Sequence, residues 1–177
     1  AAGVAVVGTR HPTTEDVHSI INDEKTGSRA VIVCDGHGGS TSSAYVAREL
    51  WSAVSSNPAL SSGDVGRAMT EAFHSTDSRL SDAISAQEAA LPPGTAGSGS
   101  CVVCAVVHSG SVHVANTGDS RCVLVRRGQP AVALSRDHKV SDPDERRRLE
   151  NAGGFIHGDR LLGVLAVSRS FGDFEIK

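Results

Sequence analysis

The chain has 177 residues, enough for one domain with its own core. Its 39% hydrophobic and 21% charged residues are ordinary for a soluble globular protein. A formal net charge of −3 gives no general attraction to nucleic acid or to an acidic membrane surface, and no apolar run reaches membrane-spanning length.

The opening AAGVAVVGTR is apolar but lacks a preceding basic region and a clear cleavage site, so no signal peptide is expected. It also lacks an initiator Met and starts in a strand-like segment, which reads as a piece excised from a longer chain. Residues 4–7 read as a short strand, and residues 28–34, rich in β-branched side chains, as a second. Residues 41–55 change period: Ala44, Ala47, Leu50, Trp51 and Val54 recur at helical spacing behind Ser/Thr caps. A longer helix is predicted over 64–87, where Val65, Ala68, Met69, Ala72, Phe73, Thr76, Leu80 and Ile84 form a core-facing stripe. Residues 91–99, LPPGTAGSG, are a loop by composition. Four β runs follow, 101–107, 112–116, 121–126 and 131–134, broken by turn residues, and they suggest an antiparallel meander.

Asp142 then caps a short helix, with Pro143 in its first turn, Glu145 at capping-box distance, and Gly153-Gly154 closing it. Arg146, Arg147 and Arg148 on that helix read as a solvated face, and His138 in RDHK as a packed or capping residue. A last apolar run covers 161–167. Strands, two helices, a meander and a short helix make an α+β fold with much antiparallel sheet. Cys34, Cys101, Cys104 and Cys122 all lie in apolar, strand-like runs. Cys101 and Cys104 would face opposite sides of a strand, so buried free thiols in a reducing compartment are expected, cytoplasmic by default and compatible with the nucleus.

The informative stretch is VIVCDGHGGS, residues 31–40, where a buried strand runs into an acid, a histidine and three glycines. A carboxylate at a strand end is held rigidly, Gly36 leaves its carbonyl accessible, and such oxygens suit a hard divalent cation. Glu15-Asp16 shortly after Arg10, and Asp119 in NTGDSR, are acids that could converge on Asp35. Each alone would be an ordinary loop or turn residue; their combination with DGHGG points to a site.

These blocks, in this order, resemble the protein phosphatase type 2C family of metal-dependent Ser/Thr protein phosphatases. The match runs through Arg10…Glu15-Asp16, Asp35-Gly36-His37-Gly38-Gly39, Gly97-Ser98-Gly99-Ser100 and Asn116-Thr117-Gly118-Asp119-Ser120-Arg121. It continues through Asp137-His138-Lys139, Asn151-Ala152-Gly153-Gly154 and LAVSRSFGDF at 165–174. The resemblance implies an antiparallel β-sandwich flanked by helices, and hydrolysis of phosphoserine and phosphothreonine on a phosphorylated protein substrate. It implies two, or three, Mg²⁺ or Mn²⁺ ions: Asp35 bridging two of them, the Gly36 carbonyl and Glu15 on one, Asp16 beside it, and Asp119 on a further, weaker ion. Arg10 would bind the substrate phosphate and His37 would protonate the leaving oxygen. In that mechanism a water made acidic by two metals attacks phosphorus in line, with no phosphoenzyme.

Three departures stand out. Four residues, HPTT, separate Arg10 from Glu15, one more than the family pattern; Ser100-Cys101 replaces a Thr-rich step; and the chain stops at FGDFEIK. The family domain continues past that point with an Asp-Gly and an Asp-Asn motif that supply metal-binding aspartates. Asp35 is the only Asp here followed by Gly, no Asp precedes Asn, and Asp173 in FGDF matches a family position without a ligand role. Absent strands would expose sheet edges, so either a homodimer through those edges or a missing part cleaved off or supplied separately is expected. A second function class is a phosphatase-like binding or scaffold module with little turnover. A third, nucleotide binding through GTAGSGS, is weak, because no Lys follows the glycines and a strand follows the loop.

Overall fold

In the computed structural model, residues 14–87 and 97–176 are described. The frame is set by β2 (Ser28–His37), whose side chains alternate strictly: Ser28, Ala30, Ile32 and Cys34 are buried, while Val31 and Val33 point the other way. It pairs on one side with β1 (Val17–Asp23) and on the other with β3 (Gly99–His108), which pairs with β4 (Ser111–Thr117), all antiparallel. The two-residue β9 (Phe171–Gly172) joins the start of β3, completing a five-stranded sheet.

One face of this sheet carries the helices. Val46, Leu50 and Val54 of α1 (Thr41–Ser55) and Ala68, Met69, Ala72, Leu80 and Ile84 of α3 (Val65–Gln87) pack with Ile32, Cys34, Val102, Cys104 and Val106 into the main core. Met69 and Phe73 are core residues as expected, with the Phe73 ring 5.3 Å from that of Phe171. A one-turn helix, α2 (Pro58–Ser61), capped by Asn57, links α1 to α3. A smaller cluster of Val140, Leu149 and Leu161 lies under α4 (Pro143–Asn151).

The α+β class with an antiparallel sheet is observed, and the expected helices at 41–55 and 64–87 fall within a residue of α1 and α3. The predicted strand at 4–7 lies outside the described residues. β1 was not expected: its adjacent Ile20 and Ile21 break the alternation, and only Ile21 joins the core, with Ile20 44% exposed. β2 runs three residues further than predicted, because Asp35, Gly36 and His37, poor strand formers, are held by pairing to Cys101, Ser100 and Gly99.

The meander is corrected in part. β3 and β4 form it, but the runs at 121–126 and 131–134 shrink to β5 (Val123–Leu124) and β6 (Val132–Ala133). These pair only with each other and bury little: Val125 is 75% exposed. β7 (Ile156–His157) and β8 (Arg160–Leu161) form a second two-stranded sheet.

Capping also differs from expectation. Ser40 makes no side-chain cap on α1; instead the Ser42 N–H donates to Ser98 Oγ at 3.0 Å and the Ser42 hydroxyl to the Ser98 carbonyl at 2.8 Å. Asp142 does cap α4, accepting from the N–H groups of Asp144 and Glu145. Glu145 does not complete a capping box. It is buried and accepts from Arg148, Arg169 and the Ser168 hydroxyl, so Arg148 is no part of a purely solvated face, while Arg146 and Arg147 pair with Glu150 and Asp144 at the surface. All four cysteines are free. Cys104 lies in the helix-facing core and Cys101 on the opposite face, where burial pushes its thiol up to about 12.

Candidate active site

The C-terminal end of β2 meets the start of β3, the β9 strand with the residue after it, the loop after β4 and the segment before β1 (Val17–Asp23), and four of these five contribute charged side chains. Glu15 is drawn in by backbone contacts: the Ser43 hydroxyl donates to its carbonyl at 2.6 Å, and the Gly39 N–H donates to its Oε1 at 2.8 Å. The Glu15 carbonyl lies so close to Gly36 that a Cβ there would collide with it. Gly36 is therefore needed for approach as well as for its own carbonyl.

Asp35, at the strand end, has its carboxyl pushed up from the ordinary value. Loss of hydration against the strand comes first, then the negative charges of Asp16 and Asp119 and a hydrogen bond with the Asp16 carboxyl, partly offset by His37. The three aspartates predicted to converge are thus brought within electrostatic reach of one another. Asp119 is also approached by the Cys101 thiol at 3.6 Å and by Lys139 Nζ at 3.5 Å from its Oδ2. Lys139 lies 3.8 Å from Asp137, which Arg121 grips with two hydrogen bonds. Lys139 was not singled out from sequence. Arg10 lies outside the described residues.

His37 turns toward a partner that the sequence did not reveal. Its Nε2 is 2.9 Å and 3.1 Å from the two carboxylate oxygens of Asp173. The hydrogen bond to Asp173 is the main reason the imidazole pKa is raised; burial opposes it, and the charges of Asp173, Asp35 and Glu15 add to it. Asp173 had been matched to the resemblance without a role. A glycine–acid pair closing an apolar run was the only local signal, and a contact spanning 136 residues leaves no trace in spacing. His138 is a packed residue, as expected. Burial, then Arg169, lowers its pKa, and its buried Nδ1 has no hydrogen-bond partner among the described residues.

A cavity of about 800 Å³ lies between α3, β4, α4 and the segment entering β9, with Phe73, His74, Leu149 and Arg169 among its walls. Asp173 borders it, but Asp35 and His37 do not, so it stands behind the carboxylate cluster.

Among the described residues no group of three or more His, Cys, Asp or Glu side chains could hold a metal ion by itself. The donor chemistry still fits part of a hard-cation shell: carboxylates that repel one another, as the raised Asp35 pKa records, are those a divalent cation would relieve.

The chain as a whole is similar to known protein phosphatases. The family model described as Protein phosphatase 2C matches residues 3–177. Probable protein phosphatase 2C 69 of Arabidopsis thaliana is 42% identical over 160 residues, covering 89% of this chain and 42% of that protein. Probable protein phosphatase 2C 45 of Oryza sativa subsp. japonica is 41% identical over 148 residues, covering 82% and 49%. The chain therefore spans less than half the length of these relatives. Among solved structures, a C. elegans sex determining protein superposes with a TM-score of 0.78 at 28% identity, covering 96% of this chain and 43% of that one. A serine-threonine phosphatase 2C from Toxoplasma gondii superposes with a TM-score of 0.77 at 20% identity, covering 94% and 66%, a likeness of fold. On the match across nearly all of its residues, the chain belongs to the protein phosphatase 2C family.

Proposed function

We propose that this protein hydrolyses phosphoserine and phosphothreonine on phosphorylated proteins with the help of Mg²⁺ or Mn²⁺. The observation that carries the reading is the meeting, at one strand end, of Asp35 with Asp16 and Asp119 and of His37 with its carboxylate partner. Asp35, Asp16, Glu15, Asp119 and the Gly36 carbonyl would hold the ions. When bound, such ions supply Lewis acidity and neutralise phosphoryl charge.

The chain's own groups supply the rest. The β2–β3 pairing holds Asp35 and His37 in a fixed relation, with Asp35 opposite Cys101 and His37 opposite Gly99. A water oxygen bonds to phosphorus as the bond to the serine or threonine oxygen breaks, and His37 gives that oxygen its proton. Arg10, from the family resemblance, would bind the phosphate. A second reading, a phosphoprotein-binding module with little turnover, draws on the lack of a complete ligand group among the described residues.

The deciding experiment is hydrolysis of a small aryl phosphate and of a phosphothreonine peptide with excess Mn²⁺, beside Asp35→Ala. Phosphatase action predicts a fall of roughly 100-fold or more in the variant. Phosphopeptide binding without turnover, undiminished in Asp35→Ala, would establish the binding module instead.

A further inference from the structure

We infer that Asp173 is a positioning residue for His37: it takes the Nε2–H, fixes the ring and its tautomer, and leaves Nδ1 to hand the proton to the leaving oxygen. This rests on the phosphatase reading above. A carboxylate only accepts, so with both oxygens within 3.1 Å the proton on that ring nitrogen belongs to Nε2. Nδ1 makes no hydrogen bond to any described residue.

The surroundings of the pair support the assignment. The Asp173 side chain is only 3% exposed, and His37 is its only ion-pair partner among the described residues. Acids are almost never buried to this degree unless paired. The backbone accepts strain to place it: Asp173 has φ 52° and follows Gly172 at φ 74°. That bend is pinned by Asp173 N–H donating to the Ser98 carbonyl at 3.1 Å and Gly172 N–H donating to Asp77 Oδ1 at 3.0 Å. On β3, Gly99 leaves the space the pair occupies, because a Cβ there would overlap both His37 Nε2 and Asp173 Oδ2.

The step balances without a further reagent. As the phosphorus–oxygen bond breaks, its electron pair stays on the serine or threonine oxygen, which takes the proton from Nδ1. The ring ends neutral, with Nε2–H still donated to Asp173. The attacking water gives its oxygen to phosphorus and a proton returns to Nδ1. Asp173 is not consumed and never meets substrate.

The test uses the full chain with Asp173→Asn, which keeps the shape of the side chain, and two substrates. A phosphothreonine peptide releases a poor alkoxide leaving group, whereas p-nitrophenyl phosphate releases one that scarcely needs a proton. The expected result is a loss of roughly 10- to 100-fold in kcat on the peptide with KM little changed, and a several-fold smaller loss on the aryl phosphate. In a His37→Gln background, the same substitution should add almost nothing. Nitrogen-15 signals of the His37 ring should show Nε2 protonated in the wild type and a mixture of tautomers in the variant. Equal losses on both substrates, additive effects with His37→Gln, or unchanged ring signals in a folded variant would each overturn the assignment. If the wild type hydrolysed neither substrate, the phosphatase reading and the proton-transfer role would fall together, and the ring signals would still decide whether Asp173 fixes the tautomer.

Discussion

At Gly99 a single hydrogen in place of a side chain is what lets the strand carry its charged pair. Gly99→Ala would push a methyl group into His37 Nε2 and Asp173 Oδ2, and would force the hydrogen-bonded pair apart. We expect a loss of about 1–3 kcal/mol, read as a lower melting temperature, as is usual for overpacked sites. Glu145 sets a different kind of constraint. Burial alone would raise its pKa, but hydrogen bonds from Arg169, Arg148 and Ser168 outweigh this and hold it well below the ordinary 4.5. A depressed carboxyl stabilises the fold at pH values above its unfolded pKa and loses that contribution as pH falls. The stability gap between wild type and Glu145→Gln, followed by urea denaturation, should therefore be full at pH 6–7 and shrink steadily below about pH 4.5. Asp35, Gly36 and His37 were legible as a site because their neighbours in sequence are also their neighbours in the strand. Asp173, Lys139 and the Glu145 network were not, since each depends on side chains brought together only by the tertiary fold.

Elements show the same division between local and distant causes. The periodic stripes of α1 and α3 were readable because one face of each helix meets one face of a sheet. What starts α1 was not: the expected local cap is replaced by Ser98, which reaches across 56 residues from the entry to β3. Ser98→Ala would leave the buried Ser42 N–H without its acceptor, while the Ser42 hydroxyl keeps the Ser98 carbonyl. It should cost about 1–2 kcal/mol in urea denaturation, whereas Ser40→Ala, whose side chain caps nothing, should cost under about 0.5 kcal/mol. β1 and the short β5 and β6 escaped the pattern for opposite reasons. β1 is a true sheet strand whose adjacent isoleucines hide its alternation, and β5–β6 have β-rich composition but almost no burial to sustain pairing.

For the molecule as a whole, the asymmetry of the main sheet matters most. Helices cover one face, while on the other Ile20, Val31, Val33, Val107 and Val112 are each 37–53% exposed, adjacent through the strand register. A contiguous apolar surface of this kind favours association, and we propose that this face, together with the sheet edges, drives self-association of the chain. Light scattering should give a mass above that of one chain, and Val31→Lys with Val33→Lys should return it to the monomer; a monomeric wild type would overturn the idea. The α+β class was legible because alternation and helical period survive in single segments, whereas the uncovered face emerges only once strand order is known.

The separation of His37 from Asp173 also imposes an order in time. Chains grow from the N-terminus at about 5–20 residues per second, so the 136 residues between them take roughly 7–30 s to make. Until residues 171–173 are made, β3 lacks its short fifth partner and the histidine waits unaccompanied. A nascent chain therefore carries Glu15, Asp16, Asp35 and Asp119 before it carries the carboxylate toward which His37 turns.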